Sequence, residues 1–484
     1  MTKARLFIFF TVLGLILTSC DLLSVTETPP TKETPTLEEN PKRPIDDKPP
    51  TEEAESDTPI EEQEISDKPL SDDGPWWVFS TPEGLFAINP DGSGLKQFNF
   101  DTVNSPWARQ ILVSPQGGYL AYLVGESFDA TLKISLLPWP TLITETPLLS
   151  FSSDPDMDAM RAIVEQKSLA FSPDGRILAF MGAIDGPTSD LYIYDLDSYE
   201  ITRMTDGLSQ AYQPVWSPDG KYIVHTGVDT FGTGAGFSMT GIWASVVETT
   251  DAISLYDPSG SGSERIIGWV DDQTFIVYSW DPMCGMNNLR SFNIETKESA
   301  ILWAESFRAI ALNPLKDVVV LSSNDGTCAP GDGVGFYIVQ TNGSGAFQFL
   351  DDTGPQGIWS EEAELILFLS DLTSGVIAVD SMGQYLDLDM PPGAQVFPAI
   401  APGSRDLAWG GEALWIGPLL GSIDNPPKEI FNEPVYTVTW TPDGESVLFF
   451  ADSGLYRADK PDYTPILIVE GLDNRNGYSD WVLP

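Results

Sequence analysis

FSPDGRILAF, residues 171–180, reads as a strand, a tight turn and a second strand. Proline presets φ, glycine supplies φ > 0, and aspartate between them favours a turn; the apolar flanks suit strands. The frame recurs along the chain: VSPQGGYLAY at 113–122, WSPDGKYIVH at 216–225, WVDDQTFIVY at 269–278, LNPLKDVVVL at 312–321, WSEEAELILF at 359–368, IAPGSRDLAW at 400–409 and WTPDGESVLF at 440–449. Position one is large and apolar in all eight copies, position eight is aliphatic, and position ten is large. Those slots are expected to face a neighbouring copy of the unit.

Two further strands often follow a frame, as at 191–194 and 201–204, or 336–339 and 347–349. Four strands per unit, with frame centres 40–58 residues apart, form the pattern of a propeller blade. The expected fold is therefore all-β: one β-propeller of four-stranded blades over residues 76–484. Residues 76–98 supply strands two to four of a blade without its first strand, and 480–484 resemble a lone first strand. Pairing them closes the ring and gives nine blades by direct count; eight remain if one long interval is a loop excursion.

The repeats resemble the WD40-like Pro-Asp repeat of TolB-type propellers. That resemblance implies the fold but no single activity, because such propellers host many. TolB carries an α/β domain before its propeller; a different kind of segment stands here.

Lys3 and Arg5, the apolar run at 6–17, and Leu17-Thr18-Ser19-Cys20 come in that order. Twelve helical residues reach about 18 Å, short of a bilayer core of roughly 30 Å, so the run reads as an export signal over 1–20. Its end resembles the lipobox of bacterial lipoproteins, which implies a lipid thioether on Cys20 as the mature N-terminus. In proteobacteria Asp21 at the next position favours retention at the inner membrane. Residues 21–75 hold 17 acidic residues, 5 basic residues and 10 prolines, with no aromatic residue before Trp76. Such a segment is expected to be a disordered, extended tether.

The chain carries 71 Asp and Glu against 25 Lys and Arg, a formal charge of −46. A surface of that sign repels nucleic acid, so no nucleic-acid partner is expected. One histidine, His225, occupies position ten of its frame and is expected to pack between blades. A serine or cysteine triad and multi-histidine metal sites have no basis beyond that residue. Neither a G-x-S-x-G elbow nor a hydrolase domain follows the propeller, unlike a complete prolyl oligopeptidase-type enzyme. Asp154, Asp156, Asp158 and Glu165 echo an EF-hand loop, yet Ala159 stands where that loop needs glycine, and 157–165 also reads as a short amphipathic helix. Neither metal nor cofactor is expected.

In a propeller the second-to-third strand loops and the connections between blades share one face. Here they are long, and they carry Phe128, Phe231, Phe237, Met239, Met283 and Met286 among glycines and acids. These side chains suit a protein, peptide or glycan ligand, or they fold back over the loops. The expected role is a binding or scaffold module, monomeric and touching the membrane only through its lipid, outside the cytoplasm. The rival is a glycan-acting enzyme with two carboxylates about 5–10 Å apart in the central pocket. Cys284 and Cys328 fall in equivalent loops of consecutive frames, and a disulfide between them is expected in an exported protein.

Overall fold

The computed structural model describes residues 68–99, 110–125, 129–137, 141–150, 156–230, 238–256, 263–281, 285–323, 335–351, 357–359, 365–369, 376–380, 385–387, 398–404, 406–418, 426–475, 477 and 479–483. All lie in one compact unit, Glu62–Pro484. Cys20, the three aromatic loop candidates, Met283, Cys284, Cys328 and Asp154 fall outside the described residues.

Each of the eight frames forms its two strands. The described strands make nine antiparallel four-stranded units, so the count of nine blades holds. Blade I combines Ser479–Val482 with Trp76–Thr81, Gly84–Ile88 and Lys96–Asn99. Blades II to IX span 111–147, 169–203, 210–256, 263–303, 307–350, 357–387, 399–431 and 435–470. First strands of successive blades touch, as at II/III, III/IV, IV/V, VI/VII and VIII/IX, which sets them around the centre. The ring closes by antiparallel pairing of Trp76, Trp77, Val78 and Phe79 with Val482, Trp481, Asp480 and Ser479.

Hydrogen bonding makes the Pro-Asp-Gly turns rigid. Ser172 Oγ donates to Asp174 (2.6 Å), the Arg176 N–H donates to the same carboxylate (3.2 Å), and the Ile177 N–H returns to Ser172 Oγ (3.0 Å). Ser217 with Asp219 and Thr441 with Asp443 repeat the pattern at 2.7 and 2.6 Å. The Ser172 and Thr441 hydroxyls hold Asp174 and Asp443 below the usual carboxylate range against a smaller opposing effect of burial. Gly175, Gly220 and Gly444 have φ of 70, 72 and 68°, where a side chain would be strained. These aspartates are turn residues.

The core lies between blades. Position eight is fully buried in every described copy: Leu120, Leu178, Ile223, Ile276, Val319, Leu407 and Val447. Position one does more than fill space when it is tryptophan. Trp216 donates its indole N–H to Ala170 O (2.9 Å), Trp269 to Val215 O (3.4 Å), Trp359 to Ala311 O (3.2 Å) and Trp440 to Ala399 O (3.0 Å). Each acceptor immediately precedes position one of the previous blade. Trp481 continues the series across the closure, donating to Thr439 Oγ1 at 2.9 Å. Burial of the ring holds each junction, and the N–H fixes its register.

The packed chain begins before residue 76. The Ser71 N–H donates to Asn89 Oδ1 (2.9 Å), Asn89 Nδ2 donates to Pro69 O (2.9 Å), Trp76 Nε1 donates to Ser71 O (2.9 Å), and Leu70 packs on the core between blades I and II. Residues 68–75, counted with the tether by composition, therefore lie on the edge of blade I.

Candidate functional site

The starts of the first strands, the second-to-third strand loops and the connections between blades meet on one face. Near its centre, polar side chains from blades II to V bind one another. Gln110, just before blade II, accepts from the backbone N–H groups of Ser168 (2.6 Å) and Leu169 (3.1 Å) and donates to Gln166 O. Gln166 Oε1 in turn accepts from Arg265 of blade V at 2.6 Å. Arg265 lies 5.6 Å over the ring of Tyr212, on the first strand of blade IV. A bulge after Tyr212 places Gln213 at φ 59°, and its amide donates to Ile266 O at 2.8 Å. Beside them Glu264 pairs with Arg290 and accepts from Ser279 Oγ at 3.0 Å. Burial pushes the Tyr212 hydroxyl up to about 12 and raises Tyr278, so both stay protonated donors at neutral pH.

Between blades II and III, Met157–Met160 form one helical turn continued by a π-helical turn, Arg161–Glu165. Asp156 caps it, accepting from the Asp158 N–H at 2.9 Å, and Glu165 lies 3.9 Å from Arg161. Asp156 and Glu165 thus belong to the short helix expected at 157–165. Among the described residues no group of three His, Cys, Asp or Glu side chains is placed to hold a metal ion.

Two of the expected ligand-face residues are described. Met239 is buried, with the Glu264 N–H directed at its sulfur, so it offers no contact surface and is corrected to a wall residue. Met286 is half-buried and packs with Phe307 and Tyr278. It also pairs across the V/VI boundary with Phe307, joining two blades into one eight-stranded sheet. The polar cluster itself escaped the sequence reading. One signal was available: in a chain with 25 basic residues, Arg265 and Arg290 both fall within strands.

His225 packs between blades III and IV as expected, at 3% exposure, and burial lowers it to about 4, so it is neutral at pH 7. It lines a cavity of about 760 Å³ between those blades.

No family model matches the chain. A curated relative, the "Uncharacterized peptidase YuxL" of Bacillus subtilis, is 41% identical over 56 residues, which spans 12% of this chain and 8% of that one. Among solved structures, a eukaryotic initiation factor overlaps 85% of this chain and 99% of its own at TM-score 0.55 and 14% identity. Porphyromonas gingivalis dipeptidyl peptidase 4 overlaps 77% and 60% at TM-score 0.50 and 9% identity. TolB from Acinetobacter baumannii overlaps 57% and 63% at TM-score 0.32 and 19% identity, too distant to add to the first two. The likeness extends to the propeller fold alone. Among the described residues no helix is long and apolar enough to cross a membrane.

Proposed function

We propose that the chain is a lipid-anchored, extracytoplasmic propeller that acts as a binding or scaffold module, presenting the long-loop face to a protein, peptide or glycan. The observation that supports this most is the set of mutual bonds at the centre of that face. Gln110, Gln166, Arg265 and Gln213 brace blades II to V against one another, and Glu264 with Arg290 ties strands within blade V. Such cross-links make a fixed base on a scaffold whose sequence carries long loops, the setting in which recognition concentrates. The buried carboxylate of the cluster, Glu264, is engaged by Arg290 and Ser279, which favours a structural role over one half of a glycosidase pair.

Anchoring is tested by Cys20→Ala, which should move the protein out of the membrane fraction or block its maturation. Unchanged fractionation with an unchanged N-terminal mass would refute the lipid. Binding is tested by face. A photoreactive residue at Asp229, exposed at the long-loop end of blade IV, should crosslink an envelope protein or glycan. One at Lys221, whose side chain is 72% exposed in the opposite turn, should not. Equal labelling from both positions would remove the assignment to that face.

A further inference from the structure

Propeller blades radiate, so neighbouring sheets diverge toward their outer strands. The space between them is either filled by large side chains or left open. Between blades III and IV it is open, and its volume of about 760 Å³ is that of a small-ligand site, typically about 300–1,000 Å³. His225 and Gly227 form part of its floor, with Trp243 directly opposite His225 on the next strand. Gly227 keeps this floor low. A Cβ there would lie 2.5 Å from Thr240 Oγ1 and 3.1 Å from Trp243 Nε1. Met204 and Leu208 line the same space, and Leu208 stands 98% exposed at the lip.

The polar wall is built around one guanidinium. Arg203 contacts Asp190 at 2.6 Å, Asp206 at 2.9 Å and Asp185 at 3.4 Å. Asp190 is buried and also accepts from Thr205 Oγ1 (2.9 Å) and Thr188 Oγ1 (3.2 Å), which fixes the wall. Burial raises Asp190 against the opposing pull of Arg203. Even with Asp190 neutral, two carboxylates outweigh the single cation, so the mouth is negative. At the floor, neutral His225 adds no positive charge.

From the size of the cleft, its negative mouth and its apolar walls, we infer that it binds a small organic cation, an ammonium group on an apolar body. The body lies against Trp243, Met204 and Leu208. The charge rests near Asp206, whose side chain is 83% exposed. The site lies between two blades, and its lip at Asp206 and Leu208 is the connection from blade III to blade IV, at the border of the long-loop face.

The test is calorimetric titration of the whole protein with phenethylamine, phenylacetate and phenethyl alcohol, which share a body and differ in charge. The amine should bind saturably, the alcohol more weakly and the carboxylate not at all. Asp206→Asn should weaken the amine about threefold to fivefold, the size of one solvent-screened charge pair. Ala252→Trp, on an exposed outer-strand residue that lines the cleft, should abolish binding with the melting temperature unchanged. If that variant melts lower, Asp206→Asn decides alone. Absence of saturable amine binding, equal binding of amine and carboxylate, or no loss of affinity in the deciding variant would overturn the proposal.

Discussion

Junctions VIII/IX and III/IV are built from the same frame and end differently. In blade IX position ten is Phe449, fully buried. It stacks on Tyr456, its partner on the next strand, at 5.4 Å and meets Phe431, the last residue of blade VIII, edge-on at 5.3 Å. In blade IV position ten is His225, its partner is Trp243, and the last strand residue of blade III is Arg203. Arg203 turns into its three carboxylates instead of onto the ring. Two of three aromatic positions have become polar, and the space that Phe431 and Phe449 fill is the cleft. Both junctions keep the inner bond, Trp440 to Ala399 and Trp216 to Ala170. The inner strands therefore hold the ring, while the outer strands are free to specialise.

Phe449→Ala should cost about 3–5 kcal/mol, the usual range for an emptied aromatic core site, read as a lower denaturant midpoint at constant slope. His225→Ala, beside an existing cavity, should cost clearly less. Equal losses would mean that the two junctions pack alike.

Junction V/VI offers a third way to brace a boundary. Met286 pairs with Phe307, and Phe307 pairs with Ser323, so the two loops start about two strand spacings apart, roughly 10 Å. In the sequence Cys284 lies two residues before Met286 and Cys328 five after Ser323, both outside the described residues. Reduction, or Cys328→Ser, should remove about 2–4 kcal/mol if the Cys284–Cys328 disulfide forms. Two alkylatable thiols in the non-reduced, denatured mature protein would refute it.

How legible was this in advance? The turns were, because Ser-Pro-Asp-Gly encodes its own hydrogen bonds within six residues. Ring closure was too, since a blade lacking its first strand and a stray strand at the far end can satisfy each other's edges. The tryptophan bonds were not. Their acceptors are backbone carbonyls 41–54 positions upstream, and the residue types there, Ala and Val, say nothing. The cleft was hidden for the same reason: it depends on what Arg203 meets, and Asp190 and Asp206 look like ordinary loop acids. Met239 was misjudged because a sulfur in a glycine-rich loop reads as exposed until a neighbouring blade is placed over it.

His225 also makes junction III/IV sensitive to pH. Its ordinary value is about 6.5 and its folded value about 4. As pH falls below 6.5 the unfolded chain takes up the proton first, so stability is full above that point and declines toward pH 4. Between pH 6.5 and 5 the loss should be about 2 kcal/mol. His225→Phe, which copies the aromatic of blade IX, should remove this component. A variant whose stability follows the parent's pH profile would show that His225 is not neutral when folded.

The smallest expected effect concerns what the two junctions share. Trp216→Phe keeps most of the ring and deletes only the N–H that reaches Ala170 O. The carbonyl left behind loses a partner in a partly buried site, and a neutral hydrogen bond of this kind contributes about 1 kcal/mol. Trp440→Phe should cost the same through Ala399 O, although the outer parts of the two junctions differ. Equal small losses, measured by denaturant unfolding, would show that the bond is a property of the frame and independent of what lies outside it. A much larger loss at Trp216 would mean instead that the cleft leaves junction III/IV resting on this one inner contact. In that case a cation bound between the outer strands should restore part of the stability that Trp216→Phe removes.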